Sequence, residues 1–489
     1  MSEAPTGAPT DALIIGAGTA GLFCALGLVE RGATVTIIEA GEDPGTPPPD
    51  WLLYDYSFPS SLDWGYREAE TGAELLRGKL TGGSSSVNSS AAVRGQPWCF
   101  DAWGVPAWSW EACLEGFIAV ERDEQFGAAD YHGDAGPIPI TRLDPGPVDL
   151  AVIDACRKLG HPELDDHNRP GSFGVGIWPT NRIGGGRCGT HAGVLPLVRE
   201  RVTLRSGPTA QRLIFEGNRC VGAEITGRNG VETVRAGLVV LCAGSYGSPE
   251  VLVRSGIGPE ATLGELGIAA VSVLEGVGQN LHDHPWCLLD VQTVDPDAAA
   301  ARPVSGSLLR YELGGGDHTE AQIFPWQTRP YVADVPASQM SFTAALMAPT
   351  SRGSLVVTPR GTHIALRHLE TDTDARRMAD IVALTAQLLD ELARDGVVER
   401  PEAPWWHADD LIAASRRQVG TYNHPVGTCR MGRPEDPGAV VDEGLALLGT
   451  SGLFVVDASV IPKIPRAGTN LTAMMIGQRA GSMIGSARR

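Results

Sequence analysis

No stretch of the sequence approaches the roughly 20 consecutive apolar residues that a membrane-crossing helix needs. The opening residues, MSEAPTGAPTD, lack the basic and apolar regions of a secretory signal, so a short disordered lead over 1–10 and a cytoplasmic protein are expected. Cysteine is sparse: the nine are odd in number, contain no CxxC pair, and mostly sit in apolar settings such as Cys24 and Cys242. That pattern reads as reduced, buried thiols, and no zinc or iron–sulfur site follows from it. Basic residues are also few, 39 Lys and Arg against 58 Asp and Glu, a formal charge of −19. An acidic chain of this kind opposes binding to nucleic acid or an anionic membrane and mildly favours a neutral or cationic small molecule. Repeats and low-complexity tracts are absent; the 61 glycines and 35 prolines mark turns instead.

What is present is a chain of 489 residues with 43% hydrophobic content, enough for a large core and too much for one simple domain. Two joined domains are expected. Residues 12–41, ALIIGAGTAGLFCALGLVERGATVTIIEAG, read as strand, glycine turn, helix and strand. Gly16 allows the tight turn, Gly18 lets backbone N–H groups approach a pyrophosphate, and Gly21 lets the helix lie close on the strand. The N–H groups of Thr19 and Ala20 then open a helix whose N-terminus faces the anion. Glu39, followed by Ala40, ends the second strand where a carboxylate accepts hydrogen bonds from an adenosine ribose. FAD or NAD is expected, not NADP.

A second cluster, Arg77 to Asn88, holds Gly82, Gly83 and Ser84 and either holds more of the cofactor or is a flexible turn. Residues 239–244, ending in Ala243 and Gly244, read as a buried strand that turns at once into a helix over 245–258. In 276–285, GVGQNLHDHP, His282 and His284 flank Asp283 and invite a metal reading. No third ligand lies nearby, so a structural turn is preferred and no metal is expected. Residues 308–347 alternate polar and aromatic side chains, as in an antiparallel sheet with one covered face. Residues 373–394 form an amphipathic helix with Met378, Ile381, Val382, Leu388, Leu389 and Leu392 on one face, capped by Asp372 or Thr373 and ended by Gly396. Residues 453–457 are a buried strand ending in Asp457, which fits a cofactor-binding acid, and a helix starts at Thr469.

His424 lies in a loop among glycines and a proline, GTYNHPVGTCRMG. Oxidising an alcohol requires a base for the hydroxyl proton while a hydride leaves the same carbon, and a neutral imidazole suits that task.

The stretches 78–88 and 244–258 resemble the two signature segments of the glucose–methanol–choline (GMC) oxidoreductases, flavoenzymes that oxidise alcohols. The second matches throughout; the first departs at Thr81, where the family usually has a branched aliphatic residue. The likeness runs from about residue 11 to the end, through Tyr131-His132-Gly133 with Gly136-Pro137 and the 276–285 turn. It implies that the dinucleotide is FAD, held noncovalently because Val87 stands where some relatives carry the histidine that bonds to flavin. It implies an α/β, overall α+β, fold: a discontinuous Rossmann-like FAD-binding domain over 11–284 and 436–489, and a substrate domain of antiparallel sheet plus helices over 285–435 that roofs the flavin. His424 matches the catalytic histidine and Asn470 a second position that is histidine or asparagine in relatives; a neutral amide there orients the hydroxyl and steadies the developing alkoxide. Gln322, Phe324, Trp326, Tyr331, Tyr422 and Asn423 are candidate pocket residues, with Glu320 a candidate partner for a cationic group.

The expected function is FAD-dependent oxidation of a polar primary alcohol, such as a sugar, amino sugar, choline-like or furan alcohol, to an aldehyde or ketone. Electrons then pass to oxygen or to a quinone or redox partner. A lyase using flavin as scaffold and a non-catalytic flavin-binding module are the alternatives.

Overall fold

The computed structural model describes residues 10–54, 60–300, 306–314, 320–326, 336 and 338–486. Tyr331 and most of the expected lead fall outside them, whereas Thr10 already belongs to the first strand, Thr10–Ile15.

Two seven-stranded sheets organise the molecule. The first runs in the order Val202–Ser206, Val35–Glu39, Thr10–Ile15, Gly230–Leu241, Arg219–Gly227 and Thr209–Glu216, with Leu453–Val455 also paired to Gly230–Leu241. Neighbours are parallel from Val202–Ser206 across to Leu453–Val455, and Arg219–Gly227 and Thr209–Glu216 add antiparallel edges. The 12-residue strand Gly230–Leu241 serves both parts: its first half pairs with Arg219–Gly227 and its second half enters the parallel layer. Parallel strands are covered on both faces, which is why Leu13, Ile14, Val239 and Val240 are all buried. The helix Thr19–Glu30 is apolar nearly all round because it lies between this sheet and the C-terminal helix Thr469–Ser486. Glycine permits the close crossing of the two helices: a Cβ on Gly27 would lie 2.9 Å from the backbone of Gly481.

The second sheet is antiparallel, in the order Val398–Glu399, Pro285–Thr293, Gln339–Leu346, Glu320–Trp326, Ser307–Glu312 and Gly174–Ile177, with Gly420–Thr421 paired to Pro285–Trp286. Strand alternation splits its side chains between two faces. Cys287, Leu289, Ala321, Ile323 and Phe342 pack in a core with the helices Pro147–Lys158 and Asp372–Arg394. Trp286, Leu288, Phe324 and Trp326 gather on the other face with Trp178 and Tyr422. The long helix buries the stripe read from its sequence, Met378 to Leu392. Its cap is Thr371, whose side chain accepts from Asp374 N, because the helix begins one residue earlier than expected.

Sheet membership departs from the chain boundaries 11–284, 285–435 and 436–489. Pro147–Lys158 and Gly174–Ile177 join the second core, whereas Leu355, Val357, Ile364, Val426 and Met431 pack into the first. Apolar faces are buried against whichever sheet lies beside them, so the chain crosses between the layers more often than composition reveals. Among the described residues no helix is long and apolar enough to cross a membrane. All nine cysteines are buried and unpaired.

Candidate active site

The strand Thr10–Ile15 delivers the chain to Gly16, whose φ of +106° is open to glycine and strained for other residues. A Cβ there would meet the Cys242 carbonyl, and one on Gly21 would meet the Gly16 carbonyl. Gly18 faces open space, its nearest neighbour being Gly83 Cα, 3.9 Å from where a Cβ would stand. The two glycine loops therefore meet, and Gly82 N donates to Ala17 O at 2.8 Å. Glu39 braces the turn, accepting from Ala17 N and from Gly41 N at 2.8 Å each. Burial pushes its carboxyl up. A carboxylate oxygen accepts more than one hydrogen bond, so both retain capacity for a ribose hydroxyl.

A cavity of about 510 Å³ starts at this turn and ends between the two sheets. Gly16, Gly18, Thr19, Ala20, Glu39, Ala40, Arg77, Gly83, Ser84, Asn88, Ala243, Gly244, Asp457 and Asn470 line it, and at its far end so do Trp326, Tyr422, Asn423 and His424. A recess of about 40 Å³ adjoins that end, walled by Asn88, Gln322, Tyr422, His424 and Asn470. Ser89, Ala91, Val93, Trp178 and Gly468 complete the recess, and none of the five carries a motif that would single it out in sequence. The same holds for Trp64 and Tyr66, which wall the large cavity; Arg254, on the same wall, lies within the 244–258 signature segment, whose pattern does not by itself mark it.

Three candidates stand elsewhere than expected. Gly82 lines neither cavity, because it is packed against Ser86 and His191. Gly21 also lies off the cavity, packed against the Gly16 carbonyl, the close helix–strand approach expected of a glycine there. Phe324 also lines neither; its ring is stacked in the aromatic cluster, 5.0 Å from Trp178 and 5.7 Å from Tyr422. Glu320 is fully buried in a two-pronged pair with Arg310, Nε to Oε1 at 2.7 Å and a second guanidinium nitrogen to Oε2 at 2.9 Å. Its charge is already neutralised, so it does not serve as the anion for a cationic substrate.

Asp457 lines the cavity, but protein donors take up its carboxylate: Gly244 N at 2.9 Å, Ser248 Oγ at 2.6 Å and Ser459 N at 2.8 Å. Thr81, the departure in the glycine loop, lies behind it with its hydroxyl 2.7 Å from His191 Nδ1. His191 Nε2 lies 2.9 Å from the Gly45 carbonyl and donates to it, so Nδ1 accepts from Thr81, and the buried hydroxyl is satisfied.

The cavity fits a flavin dinucleotide. The turn before the helix Thr19–Glu30 has no side-chain cap, which leaves its N–H groups for a pyrophosphate. Three buried polar atoms on the wall have no protein partner: Arg77 Nε, Asn423 Oδ1 and Asn470 Nδ2. Buried polar groups are ordinarily paired, so unpartnered ones on three residues that line the cavity fit a wall built for a polar molecule.

His424 is held from two sides. Its backbone N donates to Asp283 Oδ1 at 2.7 Å, and Asp283 Oδ2 accepts from Thr421 Oγ1 at 2.7 Å. Asn423, at φ +64°, turns the chain so that the imidazole faces the cavity. Burial, then the positive charge of Arg77, pushes the His424 imidazole down to about 3. Burial pushes Asp283 up to about 6. The 276–285 segment is a turn, as preferred from sequence: His282 Nδ1 donates to Asn280 O at 2.7 Å and Nε2 accepts from Ile464 N at 2.9 Å. Among the described residues no group of three or more His, Cys, Asp or Glu side chains is placed to hold a metal ion.

A dinucleotide cradle that opens onto a desolvated imidazole defines the class as a nucleotide-dependent redox enzyme. Comparison with known proteins agrees. Models described as GMC oxidoreductase match residues 10–286 and 349–477. Pyridoxine 4-oxidase of Microbacterium luteolum is 33% identical, covering 93% of this chain and 95% of its own. An oxygen-dependent choline dehydrogenase of Escherichia coli is 31% identical, covering 97% and 94%. Among solved structures, pyridoxine 4-oxidase from Mesorbium loti superposes with a TM-score of 0.86 at 31% identity, over 96% of this chain and 98% of that one. A formate oxidase superposes at 0.87 over 99% of each chain with 22% identity, a likeness of fold. The chain belongs to the GMC oxidoreductase family and is an FAD-binding oxidoreductase.

Proposed function

We propose that this protein oxidises the CH–OH group of a neutral, polar primary alcohol to the aldehyde, with FAD held noncovalently. The observation that carries the reading is the meeting of His424 and Asn470 on one small recess at the end of the dinucleotide cavity. Bound FAD supplies the hydride acceptor. Asn470 Nδ2 donates to the alcohol oxygen and steadies it as negative charge develops. His424 takes the hydroxyl proton, and the aromatic wall of Trp178 and Tyr422 keeps bulk water from the departing hydride.

The recess bears on substrate class. Among the described residues no carboxylate lines it, and the acid on the nearby strand, Glu320, is paired with Arg310. Gln322 donates through Nε2 to the Arg466 carbonyl at 3.3 Å, which leaves its amide oxygen to accept from a substrate N–H or O–H. Of the substrates named in the two relatives, a pyridoxine-like alcohol has polar groups to pair with that amide, whereas a quaternary ammonium alcohol has none and would rely on the aromatic wall alone.

Mixed anaerobically with pyridoxine, choline and a sugar alcohol in turn, the holoenzyme is expected to lose its flavin absorbance with the neutral alcohols, pyridoxine fastest, and to keep it with choline. Retention of the absorbance with every alcohol, together with cyanide release from a cyanohydrin, would replace this reading with the lyase alternative. Val87 faces the cavity with no nucleophile, so acid precipitation is expected to release all flavin into the supernatant. Colour left in the pellet would contradict noncovalent binding.

A further inference from the structure

His284, in the turn that the dinucleotide and alcohol chemistry leave unused, is fully buried and lines neither cavity. Its two ring nitrogens have different partners. Nε2 lies 3.1 Å from the Pro465 carbonyl, and Nδ1 lies 3.0 Å from Nδ1 of His424. The rings are nearly perpendicular, at 87°, which a shared in-plane hydrogen bond tolerates because rotation about its axis is free.

These contacts fix the direction of every proton. A carbonyl only accepts, so His284 Nε2 carries hydrogen. Burial, with His424, His282 and His368 nearby, holds His284 well below the ordinary imidazole range and therefore neutral. A neutral imidazole protonated at Nε2 has a bare Nδ1, which must accept. His424 Nδ1 is then the donor, and the ring, also neutral beside Arg77, has its lone pair on Nε2.

We propose that His284 is a positioning residue that selects the Nδ1–H tautomer of His424 and so presents a bare Nε2 to the alcohol in the recess. The inference rests on the reading of His424 as base. The relay ends in backbone at Pro465, so it supplies no second titrating acid; it fixes a tautomer and a ring orientation. The groups around the pair are Asp283 on the same turn, Arg77 from the glycine loop, His282 and His368, and Tyr422, whose ring lies 4.4 Å from that of His424.

The test compares His284→Leu, which removes the acceptor, with His284→Asn, whose Oδ1 stands where Nδ1 stood. Holoenzyme labelled with ¹⁵N-histidine is expected to show His424 protonated at Nδ1 and bare at Nε2 in the wild type and in His284→Asn, and a mixture of tautomers in His284→Leu. The limiting rate of flavin reduction is expected to fall about 10- to 100-fold in His284→Leu, part of the 10²- to 10⁴-fold that a general base supplies, and to be largely restored in His284→Asn. A wild-type spectrum with hydrogen on His424 Nε2 would overturn the proposal. So would a His284→Leu enzyme that keeps both the tautomer and the rate. Should His284→Leu lose its flavin, the wild-type spectrum and the His284→Asn rate still decide. A wild-type rate in His424→Ala would remove the base itself, whereas the spectrum reports on His284 alone.

Discussion

Replacing His424 by alanine is expected to leave FAD binding intact and to slow flavin reduction by 10²- to 10⁴-fold, the range a general base contributes. The cradle glycines, Glu39 and Asn88 lie on other elements, and none depends on the imidazole. The pH profile separates base from bystander. An ordinary histidine loses its lone pair to a proton near pH 6.5, but burial and Arg77 bring His424 down to about 3. The charged form of the imidazole is disfavoured in the folded enzyme, so the limb that belongs to His424 should lie well below pH 6.5, with the rate falling as pH approaches about 3, whereas a step near 6 would report Asp283, which burial pushes up to about 6. Asn470→Ala is expected to lose about 10²- to 10³-fold, as for removal of one oxyanion donor, with the acid limb unchanged because an amide does not titrate. Anaerobic stopped-flow reduction across pH, with flavin content measured for each variant, reads all of this. An acid limb persisting unaltered in His424→Ala would assign the proton to another residue.

Arg310→Leu is expected to destabilise the enzyme by about 3–5 kcal/mol, the range for breaking a buried ion pair from one side. Glu320 has no exposure through which water could replace the lost guanidinium, and Arg310 also donates to the His167 carbonyl at 2.7 Å. The damage should reach the site, because Gln322 Nε2 lies 3.4 Å from Glu320 Oε1. The double variant Arg310→Leu with Glu320→Leu is expected to recover part of the loss, since no unpaired charge remains, though the His167 carbonyl still lacks its donor. Thermal unfolding of wild type, single and double variants at one flavin concentration decides this. An unchanged melting temperature in Arg310→Leu would mean that the pair adds nothing to stability.

Local chemistry made much of the cradle legible in advance. Gly16 needs a positive φ, Gly21 a close helix and Glu39 a place at a strand end, and each requirement is met within about 25 residues of chain. The face of Asp372–Arg394 was equally readable, because a 3.6-residue period is a local property. Tertiary structure decided the remainder. Glu320 is an open carboxylate in sequence and becomes a neutralised one only because antiparallel pairing brings Arg310 alongside. Phe324 and Trp326 lie on the same strand face, yet the cluster around Trp178 takes the first ring and leaves the second at the cavity. His284 and His424 are 140 residues apart, and no spacing rule joins them. Motifs record what the backbone requires over one or two elements, whereas a proton's position on an imidazole is set by which distant acceptor the fold brings within 3.0 Å.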